Sequence, residues 1–390
     1  MVSGRSDVKA AGRIRLGMVG GGQGAFIGAV HRLAARMDDQ FEFVAGALSS
    51  DPARARASGR DLGLAPERIY TDFQTMAKAE ARRPDGIEAV SIVTPNDVHV
   101  PAALAFLNAG IHVICDKPLS LSLKQGKVLA AALQRKPGLV FALTHNYSGY
   151  PMVRQAREMV AAGALGEIRL IQAEYPQDWL TTALEKTGHK QATWRADPRK
   201  AGVGGALGDI GTHAYQLACF VSGLAAEEIS ADLQSFGKGR KLDDNLHVML
   251  RFNKGARGMI WASQVAPGNE NGLKLRVYGT KGGLEWAQAD PNYLWFTVFG
   301  EPKRLITRAG AGAGAAAQRI TRVPSGHPEG YLEGFANIYT EVARAIRAAQ
   351  AGRKPPRDVM FPGIADGLAG MAFVEACVKS SARNGRWTKP

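Results

Sequence analysis

Short, continuous apolar runs alternate with amphipathic stretches through the first 145 residues of the chain. The apolar runs have the length and composition of buried strands, and they lie at residues 14–19, 41–48, 89–94, 112–116 and 139–144. Apolar residues at helical spacing fill the gaps between them, notably at residues 27–37, 49–63, 101–109 and 121–135. Buried strands that alternate with helices predict a parallel sheet covered on both faces, in a doubly wound α/β domain. We assign this domain to residues 1–145, with residues 1–12 as a flexible tail.

The pattern changes after residue 147, where strand-like runs follow one another with short turns between them. These runs lie at residues 168–175, 247–253, 256–265, 273–279, 283–287 and 293–300. They predict a mainly antiparallel sheet backed by a helix or two, one of them at residues 152–162. Residues 309–317 (AGAGAGAAA) are of low complexity and predict a mobile loop, and helical patterns at residues 331–349 and 364–384 close the chain. We assign residues 146–390 to a second α/β domain.

Length and composition favour a two-domain cytoplasmic protein. A chain of 390 residues exceeds the size at which one hydrophobic core usually stops growing. No apolar run precedes residue 14, and none approaches the ~20 residues needed to cross a bilayer. The formal charge of +14 comes from scattered lysines and arginines, so neither a nucleic-acid nor a membrane partner is expected. The three cysteines and eight histidines match no disulfide or metal spacing, and we predict no metal site.

A glycine-rich turn, VGGGQGAFIGAVH at residues 19–31, follows the first predicted strand and opens a helix. This is the context of a dinucleotide-binding turn in a Rossmann domain, where glycines let the backbone approach a pyrophosphate at a helix N-terminus. Gly20, Gly22 and Ala25 fit G-x-G-x-x-A, whereas Gly28 as the third member requires three extra residues. A ligand-free turn is the other interpretation, and the position after the first strand favours a cofactor. The predicted contacts in this turn are Gly20, Gly22, Gln23, Gly24, Ala25, Phe26, Ile27 and Gly28.

The end of the second predicted strand bears on the choice between NAD and NADP. An acidic residue there binds the adenine ribose of NAD, whereas a small polar residue with arginines nearby admits the phosphate of NADP. Ser49 occupies this place, and Arg54 and Arg56 follow it. Ser49 favours NADP slightly, although Asp51 could still reach the ribose hydroxyls. Both coenzymes stay open.

The motif GDIGTH places Asp209 and His213 four residues apart, just after a glycine-rich stretch. If a helix starts here, the two side chains share one of its faces. A carboxylate beside an imidazole is a common acid/base arrangement. It is equally a common helix start, because Asp in the first turn binds the unpaired N–H groups. The motif alone does not choose between these two roles.

Together with TPNDVH (residues 94–99), CDKPL (115–119), WRADP (194–198) and HPEGYLEGF (327–335), these motifs resemble the Gfo/Idh/MocA family of oxidoreductases. The resemblance implies a Rossmann domain followed by an α/β domain with a large, mostly antiparallel sheet. It implies transfer of a hydride between a nicotinamide cofactor and a hydroxyl or carbonyl carbon of a sugar or cyclic polyol. It also implies Lys117, Asp209 and His213 as the catalytic residues, and a homodimer or homotetramer built through the second domain.

Two features depart from the family pattern. Asp116 stands where the family motif usually has Glu, which shortens the carboxylate by one methylene and puts its contact with the nicotinamide ribose or with Lys117 in doubt. The glycine turn is wider than usual. Oxidation of an alcohol also needs a base, and a free lysine with a pKa of ~10.4 is a poor one unless its surroundings lower that value. Lys117 and His213 therefore both stay candidates for the proton acceptor, with Lys117 preferred.

Further candidates follow the strand ends and the family resemblance. Cofactor contacts are expected from Thr94, Pro95, Asn96, His99, Asp116, Lys117, Asn146, Trp194 and Arg195. For Asn96 and His99, turn formation and helix capping are the competing roles. Substrate contacts are expected from Lys117, Tyr147, Gln177, Trp179, Asp209 and His213. The segment YPQDW, which holds Gln177 and Trp179, resembles one in levoglucosan-type and related sugar dehydrogenases, and its tryptophan is equally suited to simple packing.

Two other functions fit the same residues. An NAD-dependent glycosidase would oxidise the sugar transiently, eliminate the aglycone and recycle the cofactor. A non-catalytic sensor would bind the dinucleotide and transduce redox state, and the intact lysine, aspartate and histidine argue against it.

Overall fold

The computed structural model describes residues 12–390, and the predicted tail lies outside the described residues apart from Gly12. Within this range the chain divides into two compact units. The first contains a parallel sheet in the order β2-β1-β3-β4-β5, as predicted. Its strands are β1 (Ile14–Gly20), β2 (Phe41–Ala47), β3 (Ala89–Val93), β4 (His112–Cys115) and β5 (Phe141–Leu143). The helices in this part of the chain are α1 (Phe26–Met37), α2 (Pro52–Asp61), α3 (Phe73–Glu80), α4 (Asn96–Asn108) and α5 (Leu123–Gln134).

Local signals account for most of these boundaries. Asp51 and Asp72 cap α2 and α3 by accepting hydrogen bonds from backbone N–H groups three residues later, and Pro52 occupies the first position of α2. The helical stretch predicted at residues 101–109 starts five residues too late. The helix begins at Asn96, and Pro101 lies inside it.

The second unit contains a large, mostly antiparallel sheet in the order β13-β12-β11-β10-β6-β9-β8-β7, in which β6 and β9 are parallel. Its strands are β6 (Ile168–Pro176), β7 (Ala226–Gln234), β8 (Asn245–Phe252), β9 (Arg257–Ser263), β10 (Lys274–Gly279), β11 (Gly282–Ala287), β12 (Tyr293–Val298) and β13 (Arg304–Thr307). Its helices include α6 (Pro151–Ala161), α7 (Lys190–Arg195), α8 (Pro198–Ala201), α9 (Thr212–Ser222) and α10 (Ala315–Gln318). The sequence prediction missed β7 and β13.

The segment predicted as a mobile loop at residues 309–317 packs instead against α6. The backbone N–H of Gly314 donates a hydrogen bond to Gln155 Oε1 at 2.5 Å, and that of Ala316 donates to Glu158 Oε2 at 3.4 Å. Ala317 is buried within α10. Small residues allow this close approach, and the polar side chains of α6 bind the N–H groups at the start of the short helix.

The predicted boundary at residue 145 requires a correction. Two helices close the chain, α11 (Tyr331–Gln350) and α12 (Ile364–Ser381), and residues 331–368 belong to the first unit. Phe335, Tyr339 and Val342 of α11 share a buried core with Leu16 of β1 and Val30 of α1. The apolar face of α11 therefore completes the core of the Rossmann domain. The second unit comprises residues 121–123, 150–330 and 369–390.

Side chains alternate across the second sheet. Along β8, Leu246, Val248 and Leu250 are buried, whereas Met249 is half exposed. This period of two shows one covered and one open face. Among residues 12–390, no helix is both long and apolar enough to cross a membrane.

Candidate active site

The turn between β1 and α1 is shaped for the close approach of a ligand. Gly20 has a φ of +80°, which favours glycine. A Cβ at Gly28 would lie 2.3 Å from the Cα of Gly21, so Gly28 permits the tight contact between helix and turn. Of the two spacings that the sequence left open, the structure therefore gives the role of third small residue to Gly28 rather than Ala25. Ala25 precedes α1 without a capping side chain, and the first turn of α1 holds no acidic residue.

Other residues of the turn have different surroundings. Gln23 ties the turn to α2, because its backbone N–H donates to Ser58 Oγ at 3.0 Å and its amide to Asp61 at 2.7 Å. Phe26 is exposed and Ile27 packs against the core of the first unit. A helix N-terminus with uncapped N–H groups beside such a turn suits a pyrophosphate.

A serine and an aspartate follow the end of β2, and the aspartate caps the next helix. Ser49 Oγ accepts a hydrogen bond from the backbone N–H of Asp51 at 3.1 Å. The carboxylate of Asp51 accepts from the N–H of Arg54 at 2.7 Å, as the cap of α2. Asp51 therefore already has a structural role, and Ser49 is the polar residue that follows the strand.

The predicted cofactor residues that follow β3 differ in whether their polar side-chain atoms already have hydrogen-bond partners within the protein. Thr94 and Pro95 lie between β3 and α4, and Thr94 Oγ1 is buried without a hydrogen-bond partner among residues 12–390. His99 is fully buried, with Nδ1 2.7 Å from the carbonyl oxygen of Pro118 and Nε2 3.0 Å from that of Thr94. His99 therefore braces two strand ends, and its contact with a cofactor stays a prediction. Asn96 is buried at the start of α4.

Lys117 follows β4 at the carboxyl end of the sheet, beside an ordered carboxylate. Asp116 Oδ1 accepts hydrogen bonds from the backbone N–H of Lys117 at 2.9 Å and from Thr144 Oγ1 at 2.8 Å. Burial and, to a lesser extent, the charge of Lys117 lower the pKa of the neighbouring His145 to about 3, against the opposite effect of Asp116. A neutral imidazole and a carboxylate thus lie near the lysine. Asn146 is buried after β5, with its Nδ2 lacking a hydrogen-bond partner in the described part of the chain, and Tyr147 is buried next to it.

In the second unit, Asp209 does not cap its helix. It lies in a π-helical turn (Leu207–Gly211) that continues into α9, where His213 occupies the first turn. The carboxylate of Asp243 takes the capping role, accepting hydrogen bonds from the N–H groups of Gly205 and Leu207, both at 2.7 Å. Burial raises the pKa of Asp243 to about 6, against the effect of these hydrogen bonds. Asp243 rather than Asp209 therefore accepts the capping hydrogen bonds at this helix start, whereas Asp209 lies in its first turn. π-helical turns occur frequently at functional sites.

The carboxylate of Asp209 forms an ion pair instead. Arg195 Nε lies 3.2 Å and Gln264 Nε2 lies 2.9 Å from Asp209 Oδ2. The guanidinium of Arg195 stacks over the ring of Trp194 at 4.2 Å. Trp194 and Arg195 were predicted as cofactor contacts, and in the structure the contact of Arg195 is with a catalytic candidate.

The predicted substrate residues of the second unit surround β6. The ring of His213 lies 6.2 Å from that of Tyr175, and His213 is largely buried. Tyr175 Oη and Gln177 Nε2 both donate to Asn271 Oδ1, at 2.8 and 2.9 Å. The ring of Trp179 lies 6.3 Å from that of His189. The structure thus groups His213 with Gln177 through the tyrosine and an asparagine.

Sequence reasoning missed several residues of these arrangements, namely Thr144, His145, Asp243, Gln264 and Asn271. A signal existed for Thr144 and His145, because they follow the last strand of the parallel sheet as Asn146 does. The others had none, because Asp243, Gln264 and Asn271 are distant in sequence from the side chains that they contact.

The features of the first unit fit a dinucleotide. Gly28 lets α1 pack directly against the backbone of the turn at Gly21, and the buried atoms Thr94 Oγ1 and Asn146 Nδ2 lack partners within residues 12–390. Buried polar groups are nearly always hydrogen-bonded, so such atoms point to a polar ligand. In the second unit, an ionised carboxylate and an imidazole one helical turn apart can bind hydroxyl groups.

Comparisons with known proteins identify the family of the chain. Residues 14–158 match the family described as "Oxidoreductase family, NAD-binding Rossmann fold", and residues 153–285 match the "GFO/IDH/MocA C-terminal domain". A solved oxidoreductase from Sinorhizobium meliloti is 61% identical, with a TM-score of 0.89 over 97% of this chain and 100% of the other. An inositol dehydrogenase homologue from Azotobacter vinelandii, complexed with NADH and myo-inositol, is 37% identical, with a TM-score of 0.90 over 97% and 98%. Levoglucosan dehydrogenase from Pseudarthrobacter phenanthrenivorans is 30% identical over 70% of this chain and 73% of its own length.

Proposed function

The chain belongs to the Gfo/Idh/MocA family of NAD(P)-binding oxidoreductases, and we propose that it moves a hydride between a nicotinamide cofactor and a secondary hydroxyl or ketone of a sugar or cyclic polyol. The observation that carries this proposal is the state of Asp209. Asp243 accepts the capping hydrogen bonds and Asp209 is paired with Arg195, which supports a role for the carboxylate of Asp209 in binding the substrate.

The residues of the first unit would hold the dinucleotide. The turn from Gly20 to Gly28 would accommodate the pyrophosphate, and Thr94 and Asn146 offer polar atoms that lack partners among residues 12–390. When bound, the nicotinamide accepts or returns the hydride. Asp116, held by Thr144, is placed to keep the loop of Lys117 in position despite its shorter side chain.

Lys117 is the proposed proton acceptor in the oxidation. Its amine takes the proton of the substrate hydroxyl as the hydride leaves, and returns it in the reduction. Asp209 and His213 hold the hydroxyl groups of the substrate.

We also propose that the protein accepts NADP as well as NAD. The residue at the end of β2 is Ser49 and carries no carboxylate. The nearby carboxylate of Asp51 already caps α2. The side chains of Arg54 and Arg56 extend from the first turns of that helix and are compatible with an additional phosphate.

The test is a panel of sugars and cyclic polyols, including myo-inositol, levoglucosan and methylated and anionic sugars. Each substrate is followed by the absorbance of reduced nicotinamide, with NAD and NADP in parallel. We expect net NAD(P)H with at least one cyclic polyol or pyranose. Release of an aglycone without net NADH would indicate the glycosidase instead. A rate with NADP below 1% of that with NAD would contradict the proposal on coenzyme choice.

We propose that the open face of the second sheet forms a homodimer or homotetramer contact. Met249 of β8 pairs with Met259 of β9, and both side chains are exposed, as is Leu170 of β6. Contiguous apolar residues on an exposed sheet face are typical of an interface.

Light scattering at micromolar concentration is therefore expected to show a dimer or tetramer for the wild-type protein and a smaller species for Met249→Lys, because an ammonium in an apolar contact is costly. Val128→Lys replaces an exposed apolar residue on α5 and serves as the control. A monomeric wild-type protein, or equal dissociation of both variants, would contradict this interface.

A further inference from the structure

Gln264 is a buried glutamine directly after β9, and its side-chain amide donates a hydrogen bond to Asp209. Only 2% of its surface is exposed, and Nε2 donates to Asp209 Oδ2 at 2.9 Å. Its backbone is fixed on both sides, since its N–H donates to the carbonyl of Asp244 at 2.8 Å and its carbonyl accepts from Leu180 at 2.9 Å. A side chain anchored in this way has little freedom to leave the carboxylate.

Arg195 approaches the same oxygen atom from α7. Its Nε lies 3.2 Å from Asp209 Oδ2, its Nη1 donates to Gln191 Oε1 at 2.6 Å, and its guanidinium stacks on Trp194. The arginine supplies positive charge, whereas the glutamine supplies a directional donor without charge. Two donors on one oxygen fix the plane of the carboxylate more tightly than either would alone.

We propose that Gln264 is a positioning residue of the dehydrogenase, which together with Arg195 fixes the rotamer and negative charge of Asp209 so that this carboxylate accepts a hydrogen bond from a substrate hydroxyl. This inference rests on the proposed function. It assigns substrate orientation to a glutamine outside the recognised motifs, on a segment that lies 55 residues from Asp209 in sequence. Gln264 acts through Asp209 and does not itself touch the substrate.

The decisive experiment is a double-mutant cycle. Gln264→Met keeps the approximate size of the side chain and removes the donor, and kcat/KM for the best substrate of the panel is expected to fall about ten- to a hundredfold, as for loss of a hydrogen bond to a charged group. In an Asp209→Asn background, the same substitution is expected to change kcat/KM less than threefold, because the carboxylate that it orients is absent. Additive losses would overturn the proposal, because they would show a general structural effect.

Three further measurements separate the possible causes of a lower kcat/KM in Gln264→Met. The dissociation constant of NADH, measured by fluorescence, is expected to stay within about threefold in Gln264→Met, and a larger change would overturn a role through Asp209. Gln264→Glu, which places a second carboxylate beside Asp209, is expected to lose at least as much activity as Gln264→Met. Gln234→Met removes an amide contact with Asn245 in the same sheet and is the folding control, checked with the others by circular dichroism.

The outcomes also distinguish this inference from the proposed function. An active wild-type enzyme whose kcat/KM does not respond to Gln264→Met refutes the positioning role alone. A folded wild-type protein that binds NADH but turns over no substrate refutes both.

Discussion

Replacing Lys117 with methionine is expected to lower kcat for the best substrate by about 10²- to 10⁴-fold, the usual contribution of a positioned general base. Methionine keeps most of the aliphatic stem and removes the amine that takes the hydroxyl proton. Steady-state kinetics measure the loss, and the dissociation constant of NADH is expected to remain within a few fold. A loss confined to kcat then places the lysine in the chemical step.

Two companion variants test the assignment. Lys124→Met removes an exposed lysine on α5 and is expected to keep full activity. His213→Gln removes the other candidate for the proton acceptor. If Lys117→Met loses less than tenfold and His213→Gln loses far more, the imidazole is the base and the proposed role of the lysine is wrong.

Replacing Glu80 with leucine is expected to lower the free energy of unfolding by about 3–5 kcal/mol, because it removes the buried partner of Arg68 and leaves that guanidinium only the half-exposed Asp85, at 3.6 Å. Glu80 is almost fully buried at the end of α3. It forms an ion pair with Arg68 and also accepts from Tyr70 Oη at 2.8 Å and from the N–H of Ile87 at 3.0 Å. A protein of ordinary stability has only about 5–15 kcal/mol in total, so the loss is large. Urea denaturation followed by circular dichroism measures it.

The control is an ion pair of similar length on the surface. Arg13 Nη2 and Asp39 Oδ1 are 2.7 Å apart, with about half or more of each side chain exposed. Asp39→Asn is expected to change the free energy of unfolding by less than about 1 kcal/mol. The double variant Arg68→Met with Glu80→Leu is expected to recover part of the loss, because it removes both charges. Equal effects of Glu80→Leu and Asp39→Asn would show that burial does not control the strength of these pairs.

Local patterns predicted the parallel sheet well, for a physical reason. Strands that are buried on both faces are largely apolar, so β1, β3 and β4 stand out from the polar segments around them. The missed strand β7 is a different case. It reads AEEISADLQ, and its buried residues Ile229 and Ala231 alternate with exposed polar ones. This period-two signal was present but weak beside the charged residues.

The candidate site could be predicted from sequence only in part. Motifs singled out Lys117, Asp209 and His213 as candidates, and the glycine turn as a candidate dinucleotide site, since these depend on residues close together in sequence. His99 shows the limit of position alone: it follows β3 where cofactor contacts are common, yet both of its ring nitrogens face backbone carbonyls. Whether a polar side chain serves a ligand or the fold depends on what surrounds it.

Local sequence patterns were enough to predict the alternation of strands and helices around the parallel sheet, the turn after β1 and the four-residue spacing of Asp209 and His213, because each depends on neighbours within a few positions of the chain. The folded chain was needed to see that α11 completes the core of the first unit, that Asp243 caps the helix of Asp209, and that Arg195 and Gln264 hold the carboxylate of Asp209. Contacts between residues tens or hundreds of positions apart are fixed by packing and by the need to pair buried polar groups, and neither leaves a local trace in the sequence.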